Sequence, residues 1–128
     1  MKSLLRALGT QPATDVLHDM AFPRKLMAEV REVLKADGSW FVVDIASSKS
    51  MAENIRNPAA TICYGFSVAL CMSSGLSEEG GEGLGPMSFH PELATRWFKD
   101  AGFSRVEVLD IPGVSEKAAL NVFFEARP

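Results

Sequence analysis

Between Pro23 and Ile45 the hydrophobic and polar positions first follow a helical period and then cease to alternate. Leu26, Met27, Val30, Val33 and Leu34 fall on one stripe, with Arg24, Lys25, Glu29, Arg31, Glu32 and Lys35 outside it, which predicts an amphipathic helix lying on a sheet. Pro23 suits its first position, where a missing N–H is harmless, and Gly38 is expected to supply a left-handed stop. Trp40 to Val43, with Ile45, is apolar without alternation, the pattern of a strand covered on both faces. The expectation is an α/β fold built on a parallel sheet and organised around this helix, turn and strand.

The flanking segments are placed relative to that unit. Residues 2 to 8 carry Leu4, Leu5 and Leu8 on one side and predict a short helix stopped by Gly9. Thr14 to Met20 has the look of a strand end, with apolar Val16 and Leu17 followed by polar His18 and Asp19. Carboxyl ends of strands are where ligands sit in open α/β sheets. The alternative is that Asp19 only caps or precedes the next helix and that His18 is a surface residue. Asp44 stands inside an otherwise apolar strand, either facing a ligand cleft or accepting backbone hydrogen bonds at the loop.

From Asn57 to Ser77 no residue is charged, yet Thr61, Tyr64, Gly65, Ser67, Ser73, Ser74 and Gly75 interrupt it too often for a membrane span. A buried helix, or one lining a ligand pocket or a subunit interface, is expected, with Tyr64, Phe66 and Met72 as its pocket candidates. Ser77 to Ser88 is glycine-rich and acidic and reads as a mobile loop. Gly81, Gly83 and Gly85 form a G-x-G-x-G, but no strand leads into it, and Glu78, Glu79 and Glu82 would repel a phosphate. His90 and Pro91 open a second amphipathic helix, with Leu93, Ala94, Trp97, Phe98 and Ala101 on one face and Gly102 as its stop. Arg105 to Ile111 and Ala119 to Ala126 then alternate as two strands of an antiparallel pair.

Composition narrows the function classes. A chain of 128 residues makes one domain, expected to bury under about 70% of its unfolded surface. Thirteen Lys and Arg against sixteen Asp and Glu give a formal charge of −3 without a basic cluster, which argues against nucleic acid. Arg6 splits the amino-terminal apolar run before it reaches signal-peptide length. Cys63 and Cys71, if helical, are separated by about 12 Å of rise and cannot pair with each other, so reduced thiols in a cytoplasm are expected.

Taken together, HDMAFPRKLMAEVREVLKADGSWFVVDI, ELATRWFKDAGFSRVEVLDI and the terminal ALNVFFEARP resemble the carboxyl half of class I S-adenosylmethionine-dependent methyltransferases. Those enzymes show a polar HD after the fourth strand, a helix ending in L-K-x-x-G, an apolar fifth strand, an AGF closing the last helix and a final antiparallel hairpin. The segment spanning residues 57–89 looks like the helical insertion of a bacterial subgroup that acts on small molecules, where it covers the substrate side. The resemblance runs from about Thr14 to the end, leaving residues 1–13 poorly matched. It implies a Rossmann-like sheet cut to three or four strands, with flanking helices and a carboxyl-terminal antiparallel hairpin.

The resemblance also implies roles. His18 and Asp19 match the position after the fourth strand and become the catalytic candidates, with Asp44, Tyr64 and His90 lining the acceptor side. The family holds its cofactor with a glycine-rich loop after the first strand and acids after the second and third, and none of these has a counterpart here. One β-α-β unit takes about 30 residues, more than precede the retained half. S-adenosylmethionine is thus the cofactor by resemblance, with no binding expected by this chain alone, and no residue is assigned to a metal. Three functional readings follow: a small-molecule methyltransferase; a non-catalytic remnant or interaction module; and a half whose amino-terminal partner is encoded upstream. A sheet cut in this way exposes an edge, so a homodimer through that edge or through the insertion helix is expected.

Overall fold

The structure, a computed structural model, describes residues 10–14, 16–113 and 120–128. The expected amino-terminal helix and the first residue of the last element, Ala119, lie outside them. Strands β1 (Thr10–Thr14), β2 (Ser39–Ile45), β3 (Arg105–Leu109) and β4 (Asn121–Arg127) form a four-stranded sheet in the order β1-β2-β4-β3. β1 runs parallel to β2, while β4 is antiparallel to both β2 and β3. The carboxyl-terminal hairpin therefore inserts β4 beside the central strand and leaves β3 at one edge and β1 at the other.

Two helices cover one face of this sheet. Helix α1 (Pro23–Val33) starts on Pro23 and buries Met27 completely, with Leu26 and Val30 packed against the core. It ends earlier than expected: Leu34 is already extended, and Gly38 is not among the glycines with positive φ. The second amphipathic helix, labelled α5 (Pro91–Asp100), matches its pattern, with Ala94, Trp97 and Phe98 buried and Gly102 at φ 95° as the left-handed stop. Between the helices and the sheet lies an aromatic core. Trp40 meets Phe98 edge-on at 5.5 Å, and Phe98 meets Phe103 edge-on at 5.7 Å and Phe124 at 6.0 Å. Such pairs add about 0.5–1.5 kcal/mol each beyond simple burial.

The central strand departs from its expected double coverage. Trp40, Val42 and Asp44 are buried in alternation, whereas Phe41, Val43 and Ile45 are only half-buried. Among the described residues the packed helices lie on one face, and on the other Phe41 stacks on Phe123 at 6.2 Å. The apolar run of β2 is thus a one-sided strand in this chain, its second hydrophobic set partly open.

The insertion forms a one-turn helix α2 (Met51–Asn54) and then a continuous helical stretch. It comprises α3 (Ala60–Phe66), a π-helical turn (Ser67–Cys71) and α4 (Met72–Gly75). Of the alternatives expected for it, the stretch does not show full burial, while its Tyr64 and Ser74 do line pockets. Its small residues Ala60, Ser67, Cys71 and Gly75 face inward, while Ile62, Phe66, Val68 and Leu70 are more than half exposed. Phe66 and Met72 line neither the cleft beside Asp19 nor the pocket beside Tyr64. The glycine-rich loop that follows is also docked rather than free. The Gly81 amide donates to Glu78, Glu82 to Ala21 and Gly85 to His18, and Arg24 pairs with Glu82 at 2.5 Å.

Candidate functional site

The expected strand end at Thr14 to Met20 is in fact a strand that stops at Thr14, followed by a 3₁₀ turn over Leu17–Asp19. That turn lies just past the carboxyl end of β1 and beside that of β2, because the two strands are parallel and in register from Thr10 opposite Ser39 to Thr14 opposite Val43. Leu17 anchors the turn in the core with no exposure. The next side chain, His18, is consequently driven inward, at 4% exposure. A surface role for His18 is excluded by this burial. Asp19 caps nothing either, since the residue flanking α1 is Phe22 and no side chain bonds that helix start.

The inward histidine meets the one acid of β2. His18 Nδ1 lies 2.5 Å from Asp44 Oδ1, and the same oxygen accepts the Ile45 amide at 2.7 Å. Asp44 is completely buried. Of the two sequence alternatives for Asp44, the structure shows the backbone hydrogen bond, and the same carboxylate also meets His18. A carboxylate at Nδ1 holds the proton on that nitrogen, so Nε2 is the atom left to accept one.

Nε2 points toward Asp19, whose Oδ1 is 3.2 Å away. Cys71, delivered by the π-helical turn, completes the group: ligand atoms of His18, Asp19 and Cys71 all lie within 4.8 Å of one another. Burial and the neighbouring Asp19 carboxylate push the Cys71 thiol up to about 11. Asp19 Oδ1 and Asp44 Oδ2 are both buried without a hydrogen-bond partner. Asp19 also forms part of the wall of a cleft of about 540 Å³, together with Phe22, Lys25, Ser74 and Glu78.

Tyr64 and His90 belong to a second place. They line a separate pocket of about 310 Å³ with Ser48, Asn54 and Met87. Asn54 Nδ2 donates to the Ser48 carbonyl at 2.9 Å, and its Oδ1 accepts the Ser48 amide at 2.7 Å. His90 caps α5 by accepting the Leu93 amide on Nδ1 at 3.3 Å, and the same nitrogen lies 3.0 Å from Glu92. These two roles need different protonation states of one atom, because capping requires a bare nitrogen. The structure thus gathers His18, Asp19 and Asp44 in one cluster and Tyr64 and His90 in another. Sequence reasoning missed Asn54 and the position of Cys71 beside His18 and Asp19. Asn54 lies in a short polar stretch with no pattern to mark it, and Cys71 was visible only as an unpaired thiol.

Parallel β1 and β2, an antiparallel hairpin inserted next to them and a polar turn at the strand ends form an α/β arrangement that is similar to part of the fold of S-adenosylmethionine-dependent methyltransferases. No protein-family profile and no curated protein matches the sequence. The likeness lies in the folded chain. A protein from Nostoc punctiforme assigned as an O-methyltransferase superposes with a TM-score of 0.63 at 17% identity, over 94% of this chain and 31% of that one. Human N-acetylserotonin methyltransferase, solved with S-adenosylmethionine, gives 0.61 at 19% identity, over 93% of this chain and 29% of the human one. An O-methyltransferase family protein from Burkholderia thailandensis gives 0.61 at 13% identity, over 99% and 32%. The chain spans about a third of the length of each of these structures.

Proposed function

We propose that this chain is the substrate-side portion of an S-adenosylmethionine-dependent methyltransferase acting on a small molecule. The observation that carries the reading is the His18–Asp44 pair, buried at the carboxyl ends of two parallel strands in a methyltransferase fold. The cofactor of such enzymes supplies an electrophilic methyl group on a sulfonium. His18 Nε2 takes the proton from the acceptor as it attacks, and Asp44 keeps Nδ1 protonated and complements the imidazolium that forms. Asp19, between Nε2 and the cleft, holds the acceptor's polar group near that nitrogen. Tyr64, Asn54 and His90 bind a more distant polar group of the same acceptor. Most of the acceleration then comes from holding acceptor and methyl donor in line.

The chain on its own is proposed not to bind the cofactor. The backbone amides of its one G-x-G-x-G segment support this, since those of Gly81, Glu82 and Gly85 are already bonded within the fold. Calorimetric titration of S-adenosylmethionine into the chain is expected to give no saturable heat, and micromolar binding would overturn this part of the reading.

A second reading is a non-catalytic dimerising module. It is favoured by the outward apolar face of the insertion, where Ile62, Phe66, Val68 and Leu70 are exposed, and by β1 as a sheet edge among the described residues. Light scattering after size exclusion distinguishes it: a well-folded monomer at high concentration would remove the dimer.

A further inference from the structure

The group formed by His18, Asp19 and Cys71 has features that a proton-transfer dyad does not require. A base oriented by Asp44 needs only a nitrogen facing its substrate, yet here a carboxylate oxygen of the same 3₁₀ turn and a thiol from the π-helical turn stand beside it. Asp19 Oδ1 approaches His18 Nε2 at 3.2 Å but forms no hydrogen bond, and it is buried. Asp44 Oδ2, also buried, has no partner either. A buried carboxylate oxygen without a hydrogen-bond donor therefore stands beside the imidazole and the thiol.

We infer that His18 Nε2, Asp19 Oδ1 and Cys71 Sγ form a binding site for a single thiophilic divalent cation of the zinc class. The donor types are those zinc takes, one imidazole nitrogen, one carboxylate oxygen and one thiolate. The spacing fits as well. Two ligands held about 2.0–2.1 Å from a tetrahedral ion stand about 3.3 Å apart, and the nitrogen and oxygen here stand 3.2 Å apart. The sulfur lies within 4.8 Å of both, so it closes by an inward movement of about 1 Å to reach a Zn–S bond of about 2.3 Å. Asp44 already supplies the partner that zinc-bound histidines require, a carboxylate on the opposite ring nitrogen that fixes the tautomer.

Binding inverts the local electrostatics. Without the ion, burial and Asp19 keep the thiol protonated; with it, the thiol becomes thiolate and its proton passes to solvent, one proton released per ion bound. Three protein ligands leave the fourth position open, on the side of Asp19 that faces the cleft of about 540 Å³. This inference rests on the cluster itself and not on methyl transfer. The two are in competition at one atom, since an ion on Nε2 takes the lone pair that would accept the substrate proton.

The test uses the purified, chelator-stripped chain titrated with zinc chloride in a calorimeter and with cobalt(II) in a spectrophotometer. One ion per chain is expected, with a thiolate-to-cobalt charge-transfer band and an enthalpy that depends on the buffer through the released proton. Cys71→Ser should remove the band and weaken binding at least 100-fold, Cys63→Ser should leave both intact, and Asp44→Asn should weaken binding by about 10–100-fold. Should Cys71→Ser fail to fold, X-ray absorption on the zinc-loaded unmodified chain reads the same point, with one sulfur at about 2.3 Å and nitrogen or oxygen neighbours. The absence of saturable binding, a coordination shell without sulfur, or loss of the site in Cys63→Ser would each overturn the proposal. S-adenosylmethionine titration responds to none of these outcomes, so the two proposals fail separately.

Discussion

Replacing Asp44 by alanine removes the only carboxylate on the buried face of β2. Its Oδ1 accepts from His18 Nδ1 at 2.5 Å and from the Ile45 amide at 2.7 Å, and the residue has no exposed surface. The substitution leaves the half-buried Ile45 amide unsatisfied and strips His18, itself 4% exposed, of the acceptor on its Nδ1. Each donor left without its acceptor costs about 1–3 kcal/mol, so the two together cost about 2–6 kcal/mol. Against a total of about 5–15 kcal/mol for a domain, that is a large fraction. His18→Ala should cost less, because Asp44 keeps the Ile45 amide. The double variant isolates the pair: a hydrogen bond to a charged group contributes about 1.5–3 kcal/mol, so the coupling energy should fall in that range. Urea unfolding of the four proteins, followed by far-ultraviolet circular dichroism, measures it. A coupling energy near zero, with both single losses below about 1 kcal/mol, would show that Asp44 does not hold His18 and would remove the basis for a base at Nε2.

Two other perturbations probe how the insertion is seated. Gly85 has a φ of 68°, and a Cβ there would stand 2.2 Å from Ser67 Oγ. Gly85→Ala should destabilise by more than the roughly 1–2 kcal/mol of a left-handed alanine, with Ser67→Ala in the same chain restoring only the part due to the clash; full rescue in thermal melts would contradict the backbone contribution. Cys71, with its thiol raised from 9.0 to about 11, should alkylate with iodoacetamide at pH 8 about 100-fold more slowly than an ordinary thiol, tenfold for each of two pH units. Its rate should climb until the pH nears 11, and half-buried Cys63 should react first when labelled peptides are counted by mass spectrometry. The linkage has the same sign: the folded chain holds this proton more tightly than the unfolded one, so the associated stability is complete below pH 9 and is lost as pH rises through 11.

What the sequence made legible was what a single element determines by itself. Helices α1 and α5 each carry one apolar stripe and a proline start, and both fold where read, although α1 stops at Val33 without the left-handed glycine expected of it. The hairpin was visible in the alternation of Val106, Val108, Val122 and Phe124, although its placement beside β2 is a tertiary fact. The strand before His18 was displaced toward Val16 and Leu17 because those two are the apolar pair, whereas the actual β1 contains Pro12, tolerated on an edge. The buried alternative for the insertion fails for a physical reason: its inward face is Ala60, Ser67, Cys71 and Gly75, small enough for close packing, so its large apolar residues point away from the core. A hydrophobicity rule reads that helix inside out. The site divides in the same way. His18 and Asp44 were each marked by polarity in an apolar setting, but their contact spans 26 residues and the approach of Cys71 depends on a π-helical turn that no residue pattern announces.

The most direct measurement of the central claim joins a cofactor-binding portion to this chain. A hybrid carries the amino-terminal portion of the Nostoc punctiforme O-methyltransferase fold ahead of Thr10 and is assayed, free of divalent metal, for transfer of a labelled methyl group from S-adenosylmethionine to a panel of small hydroxylated acceptors. The account predicts transfer by the hybrid and a fall of about 10²–10⁴-fold in His18→Asn, with cofactor binding unchanged. A hybrid that binds the cofactor and methylates equally well with and without His18 would contradict it.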